Sequence, residues 1–262
     1  MTLFSAHLAA RCSTRISRVV LTLWLWSGSI LAAEEPLSIA VASNFRLPLV
    51  ELLKEGVGAD DDDFYLNSAA SGLLFAQIKQ GARYHLFFSA DAERPTQLTQ
   101  LGIARPGSLK TYAIGQLVLW MPERSHAWPE TLDGFQGLIA IANPLHAPYG
   151  GAAQGLLSKG WLPQHKDVVF AANVGIAFQY AQQRVVDAAF ISKTQALLAG
   201  LPEQNLLTID IALYPLIEQK RVVLAHHPLG EQLLTYLDTP EGADHLVRLG
   251  YLTPLGMNET SQ

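Results

Sequence analysis

The stretch Leu37-Ser-Ile-Ala-Val-Ala-Ser-Asn-Phe-Arg-Leu-Pro-Leu-Val-Glu-Leu-Leu53 changes its hydrophobic period halfway. Residues 37–42 are apolar without strict alternation, the pattern of a strand buried on both faces. From Phe45 onward the apolar residues fall at Leu49, Leu52 and Leu53, the spacing of one helix face. Ser43 and Asn44, between the two periods, are capping residues. Pro48 is tolerable because it lies in the first helical turn. The same succession then repeats. Phe64-Tyr-Leu66 reads as a strand, and Ser71-Gly72 leads into the helical spacing of Leu73, Leu74, Gln77 and Ile78. His85-Leu-Phe-Phe88 is a third strand, and Ser89-Ala-Asp91 opens a third helix. A βαβαβ order predicts a parallel sheet with helical crossovers.

Downstream, Gln116–Met121 is a strand stopped by Pro122, and Leu138–Ala142 is another. Gly150 to Ser158 places Ala152, Ala153, Leu156 and Leu157 on one helix face. Val168–Phe170 is a strand, Val174, Ala177, Phe178 and Ala181 mark a helix, and Val185–Ile191 returns as a strand. These units predict a second α/β lobe. The tail carries a strand at Arg221–Ala225 and helices near 229–237 and 242–249.

The first 33 residues do not read as fold. Arg11, Arg15 and Arg18 precede an apolar stretch, Val19 to Leu31, that is short for a membrane span and suits a signal peptide. Ala32 and Ala33 place cleavage before Glu34. Removing this segment takes away the only cysteine, Cys12, and leaves 15 basic residues against 23 acidic ones, a net charge of −8 instead of −5. Such a balance argues against a nucleic-acid partner, which needs clustered Lys and Arg. No later stretch has the length of an apolar span, so the body is expected to be soluble.

Catalytic and cofactor signals are absent. There is no GxGxxG, no phosphate-loop lysine, no HExxH, no CxxC and no GxSxG. The run Asp60–Asp63 lacks the interleaved glycine and later glutamate of a calcium loop, and reads as a solvated turn. No cofactor is implied. What recurs is small polar residues at strand-to-helix junctions: Ser43, Ser71 and Ser89, with Pro148-Tyr149-Gly150 and Asn173-Val174 at two more. Helix N-termini expose unpaired N–H groups and the positive end of the dipole. Several converging on one cleft would bind an anion without a charged side chain.

These residues resemble the periplasmic molybdate-binding proteins of ABC transporters. The resemblance is carried by Ile39-Ala-Val-Ala-Ser-Asn-Phe45, by Ser71-Gly-Leu-Leu-Phe-Ala-Gln-Ile78 with Gly81-Ala82, and by Phe88-Ser-Ala-Asp91. It continues in Asn143-Pro-Leu-His-Ala-Pro-Tyr-Gly150, Asn173-Val174 and Tyr214-Pro-Leu-Ile-Glu-Gln219, spanning residues 37–252 in order. It implies an α/β, two-lobed, type II periplasmic binding fold, each lobe a mostly parallel sheet flanked by helices, with the ligand cleft between them. One lobe would comprise 34–115 and 213–262, the other 116–212. It also implies a monomeric receptor, not an enzyme, that captures molybdate or tungstate and hands it to an ABC permease in the inner membrane.

The implied ligand contacts are Ser43, Ser71, Tyr149 and Val174, the last two through backbone N–H, with Asn173 beside them. In much of the family a later tyrosine donates its hydroxyl, and Ser192 falls near that position. Tyr149 is the residue that would replace this donor from the other side. Ser43→Ala and Ser71→Ala are each expected to weaken binding with little loss of fold. His85 stands where the family has aspartate, and Arg83 and His85 are expected to alter contacts between the lobes. Two other readings stay open. A receptor for a different oxyanion is suggested by Ser192 and His85, and one for a small organic anion would be favoured by Arg46 or Arg83 pointing into the cleft. A secreted α/β enzyme would need a nucleophile–base pair there.

Overall fold

In a computed structural model of the chain, the structure describes residues 35–123, 135, 137–160 and 167–253. The signal-peptide reading of 1–33 lies outside these residues.

The run that opened the sequence is β1 (Leu37–Ala42), buried at every position but Ser38. It pairs in parallel with β2 (Phe64–Ala69) on one side and β3 (Leu86–Phe88) on the other. Alternate side chains of a strand face opposite ways, and both faces are covered here. Leu37, Ile39 and Val41 pack with Leu49, Leu52, Leu233 and Leu246, from α1 (Arg46–Glu51) with its π-type continuation Leu52–Gly56, α7 (Pro228–Leu237) and α8 (Pro240–Arg248). Ala40 faces Leu74, Ile78 and Leu98, from α2 (Ser71–Lys79) and α3 (Glu93–Gln100). Double coverage is why the run shows no alternation.

The first sheet has the order β2-β1-β3-β10-β4, with β4 at Lys110–Gly115 and β10 at Ile217–Val223. The second has the order β7-β6-β8-β5-β9. Its strands are β5 (Leu117–Trp120), β6 (Ile139–Ala142), β7 (Val168–Ala171), β8 (Ala188–Ser192) and β9 (Leu206–Thr208). In each sheet one strand runs against the other four: β10 in the first and β5 in the second. Each is the first strand after the chain changes sheet, β5 following β4 and β10 following β9. Helices α4 (Pro148–Ser158), α5 (Val174–Gln182) and α6 (Lys193–Leu198) belong to the second sheet's segment.

Several expectations shift. β4 and β9 were not read from the sequence. The tail strand starts at Ile217 instead of Arg221, because Glu218, Gln219 and Lys220 interrupt its apolar pattern although Gln219 is buried. The cap of α1 is Phe45, not Ser43 or Asn44. Residues 42–45 form a turn closed by the Phe45 N–H to the Ala42 carbonyl at 2.8 Å. That turn leaves the Ser43 hydroxyl uncommitted to the helix. Among the described residues no helix is long and apolar enough to cross a membrane.

Candidate functional site

Five strand ends or helix starts meet where the two sheets face each other. They enclose a small space of about 10 Å³, lined by Ser43, Asn44, Ser71, Ala90, Tyr149 and Val174 with small apolar neighbours. That is about the room a single water needs. None of its lining residues is Lys, Arg, His, Asp or Glu. The lobes are in contact around it. The Gly72 N–H donates to the His146 carbonyl at 2.9 Å, and a Cβ on Gly175 would sit 3.6 Å from the Ser43 Cβ.

The donors come from the backbone as much as from side chains. Ser43 gives its own N–H to Ala69 at 3.1 Å, but its hydroxyl has no partner among the described residues. The Ser71 hydroxyl accepts the Ala90 N–H at 3.0 Å, which leaves its single proton free to donate. The N–H groups of Asn44, Ser71, Tyr149 and Val174 have no acceptor among the described residues. Ser71, Tyr149 and Val174 lie in the first turns of α2, α4 and α5, so three helix N-termini converge on the space. Each brings unpaired donors and the positive end of a dipole. Close approach positions α4: a Cβ on Gly150 would collide with the Ala142 carbonyl oxygen at the end of β6.

The structure therefore brings together Ser43, Ser71, Tyr149 and Val174. It does not bring Asn173 or Ser192 to the enclosed space. Asn173 caps α5, its Oδ1 accepting the Ile176 N–H at 3.0 Å, and it lines a neighbouring, more open groove with Ser43, Arg46 and Gln195. Ser192 caps α6. Its hydroxyl donates to Gln195 Oε1 at 3.1 Å and accepts the Gln195 N–H at 3.2 Å. The Tyr149 hydroxyl does not stand in for a missing donor, because it points away from the space and accepts from Gln219 Nε2 at 3.3 Å. Burial, with Tyr251 and Tyr214 close by, holds the Tyr149 phenol well above its ordinary range, against the opposing Gln219 bond. Asn44 was missed as a lining residue. Its contribution is a backbone N–H, which residue type does not announce.

Neither arginine points into the space. Arg46 is exposed beside the open groove. Arg83 is exposed on a surface hollow with Tyr65 and His85. That hollow is lined by the first sheet's segment alone, so Arg83 and His85 do not shape contacts between the lobes. His85 Nδ1 accepts the Ser38 N–H at 2.9 Å, and its ring lies 4.7 Å from that of His227. Burial first, and then His227, lowers the His85 pKa, with Glu35 opposing. A further hollow, around Lys110, Arg221 and Asp238, is also confined to that segment. Both hollows are larger than the enclosed space. They are open and carry charged residues, so they lack the desolvated donor ring.

Two α/β lobes closed over a small space ringed by uncharged N–H and O–H donors define a solute-binding protein. The chain belongs to the family described as bacterial extracellular solute-binding protein, which it matches over residues 37–252. It is 31% identical over 229 residues to the molybdate-binding protein ModA of Rhodobacter capsulatus, covering 85% of this chain and 90% of the relative. It is 28% identical over 249 residues to the Azotobacter vinelandii molybdate-binding protein ModA, covering 91% and 98%. Among solved structures, the A. vinelandii periplasmic molybdate-binding protein superimposes with a TM-score of 0.75 at 31% identity, over 83% of this chain and 99% of that one.

Proposed function

We propose that this chain is an extracytoplasmic receptor for a tetrahedral metal oxyanion, molybdate and also tungstate, which it delivers to the membrane permease of an ABC importer. The observation that carries the reading is the enclosed, uncharged space with two hydroxyl protons and four backbone N–H groups that have no acceptor among the described residues. The two relatives named for molybdate binding support it. The segment 1–33 is its export signal, and the mature chain works as a monomer in the periplasm. Residues 34–115 with 213–262 form one lobe and 116–212 the other. No bond is made or broken, and the metal enters only as the centre of its oxyanion.

A dianion is held without countercharge because a closed cleft lowers the local dielectric and strengthens each hydrogen bond. A hydrogen bond to a charged group contributes about 1.5–3 kcal/mol, so a ring of about six offsets dehydration and leaves tight binding. The ring offers donors only. A protonated phosphate would keep one buried O–H without an acceptor, at a cost of about 1–3 kcal/mol. Sulfate is smaller than molybdate and would stretch the bonds of a rigid ring. Closure over the anion then changes the shape a permease reads. A thermal-shift comparison tests the proposal: molybdate and tungstate should raise the melting temperature well above the shifts given by sulfate and phosphate. Equal shifts for all four anions would reject it.

A further inference from the structure

Behind the donor ring lies a buried polar cluster that anion contact does not explain. Gln219, the last residue of the Tyr214–Gln219 segment, is fully buried in β10. Its Oε1 accepts from Asn44 Nδ2 and from the Tyr112 hydroxyl, both at 2.9 Å. Its Nε2 donates to the Tyr149 hydroxyl at 3.3 Å. With donors on its oxygen and an acceptor for its nitrogen, the amide has one satisfied orientation. Asn44 is fixed a second time, giving Nδ2 to the Tyr251 hydroxyl at 3.2 Å and receiving that hydroxyl's proton on its carbonyl at 3.2 Å.

The placement of these partners is informative. Asn44 follows β1 of the first sheet, and Tyr149 sits in α4 beside the second. Both also line the enclosed space, where their N–H groups have no acceptor among the described residues. Gln219 thus grips, by their side chains, two residues whose backbones face the space from opposite lobes. The chain makes room for this contact. A Cβ on Gly115, where the chain leaves the first sheet for the second, would overlap the Tyr149 hydroxyl and lie 2.8 Å from Gln219 Nε2.

We propose that Gln219 is a positioning residue that sets the spacing between the two halves of the donor ring, and that its bond to Tyr149 is a latch made only when the lobes close. The assignment of the ring to an oxyanion rests on the function proposed above, but the latch does not. Side-chain bonds between lobes favour the closed state before ligand arrives, and apparent affinity scales with the closed fraction.

The test uses the full chain in a Cys12→Ser background, with spin labels at Gln80→Cys and Gln183→Cys, exposed positions on the two lobes. Pulsed dipolar spectroscopy measures the distance between the labels, and titration with molybdate measures Kd. Tyr149→Phe removes the lobe-spanning hydroxyl and keeps the packing. It should deplete the short-distance population of the anion-free protein and weaken molybdate binding about three- to tenfold, through faster dissociation. Gln219→Met should do the same. The double variant should add nothing to Gln219→Met, because both changes break one contact. The latch is overturned if the anion-free protein has no short-distance population, or if Tyr149→Phe leaves that population unchanged. If the unsubstituted protein ignores molybdate, the oxyanion reading fails, while the anion-free distances still decide the latch. Tyr149→Phe keeps the test open should Gln219→Met not fold.

Discussion

Ser43→Ala and Ser71→Ala should separate binding from folding, because the two hydroxyls have different obligations. The Ser43 hydroxyl has no protein partner among the described residues, so its loss removes one donor to the anion and nothing else. A hydrogen bond to a charged group is worth about 1.5–3 kcal/mol, which converts to a Kd roughly ten- to 150-fold weaker. The midpoint of urea unfolding without anion should barely move. Ser71 has two tasks. Its oxygen holds the Ala90 N–H at 3.0 Å, and both residues are buried. Ser71→Ala should weaken binding by a similar factor and also leave a buried N–H unpaired, at a further cost of about 1–3 kcal/mol in stability. The sequence alone suggested little loss of fold for both; the bond to Ala90 removes that expectation for Ser71. Calorimetric titration with molybdate and urea unfolding of the anion-free variants give the two readings. A Kd for Ser43→Ala within twofold of the unsubstituted chain would refute the donor assignment.

Two other expectations concern the periphery of the site. Ser192→Ala should lower stability by about 1 kcal/mol through loss of the α6 cap and leave molybdate affinity within twofold; a tenfold loss of affinity would make Ser192 a ligand contact after all. The folded-state pKa of His85 is lowered from 6.5 by burial and by His227, with Glu35 opposing, so the unfolded chain takes up the proton first. This contribution to stability is complete above pH 6.5 and is lost as pH falls toward the lowered value. Urea midpoints at pH 7.5 and 5.5 should therefore differ less in His85→Gln than in the unsubstituted chain, and equal differences would count against it.

Much of the lobe architecture was readable because doubly covered strands write themselves as apolar runs. Leu37–Ala42 and Leu138–Ala142 are of this kind, and each coincides with a strand of the structure; Val168–Phe170 is also an apolar run in a strand, but it lies at the sheet edge with Phe170 exposed. β9, of three residues, is too short to stand out. β4 escaped for another reason. Its sequence runs on through Gln116 into β5, and only the fold reveals that the chain changes sheet there. The site was legible where a serine or a motif marked a junction, as at Ser43 and Ser71. It was not legible where the work falls to a backbone N–H, as at Asn44, or where direction decides, as at Tyr149 and Ser192. A hydroxyl facing Gln219 and one facing a cleft have the same letter in the sequence. Gln219 itself is a polar residue in a strand, and its buried amide is satisfied by Asn44, Tyr112 and Tyr149, far apart in the chain.

The central claim is that an enclosed ring of neutral donors holds a dianion without countercharge. Calorimetric titration of the chain with sodium molybdate, at about 20 mM and again at about 500 mM sodium chloride, tests it directly. Burial shields the site from the screening that weakens exposed charge pairs, so one molybdate should bind per chain with nearly the same affinity at both salt concentrations. Absence of binding heat, or binding that disappears in high salt as surface ion pairing would, contradicts it.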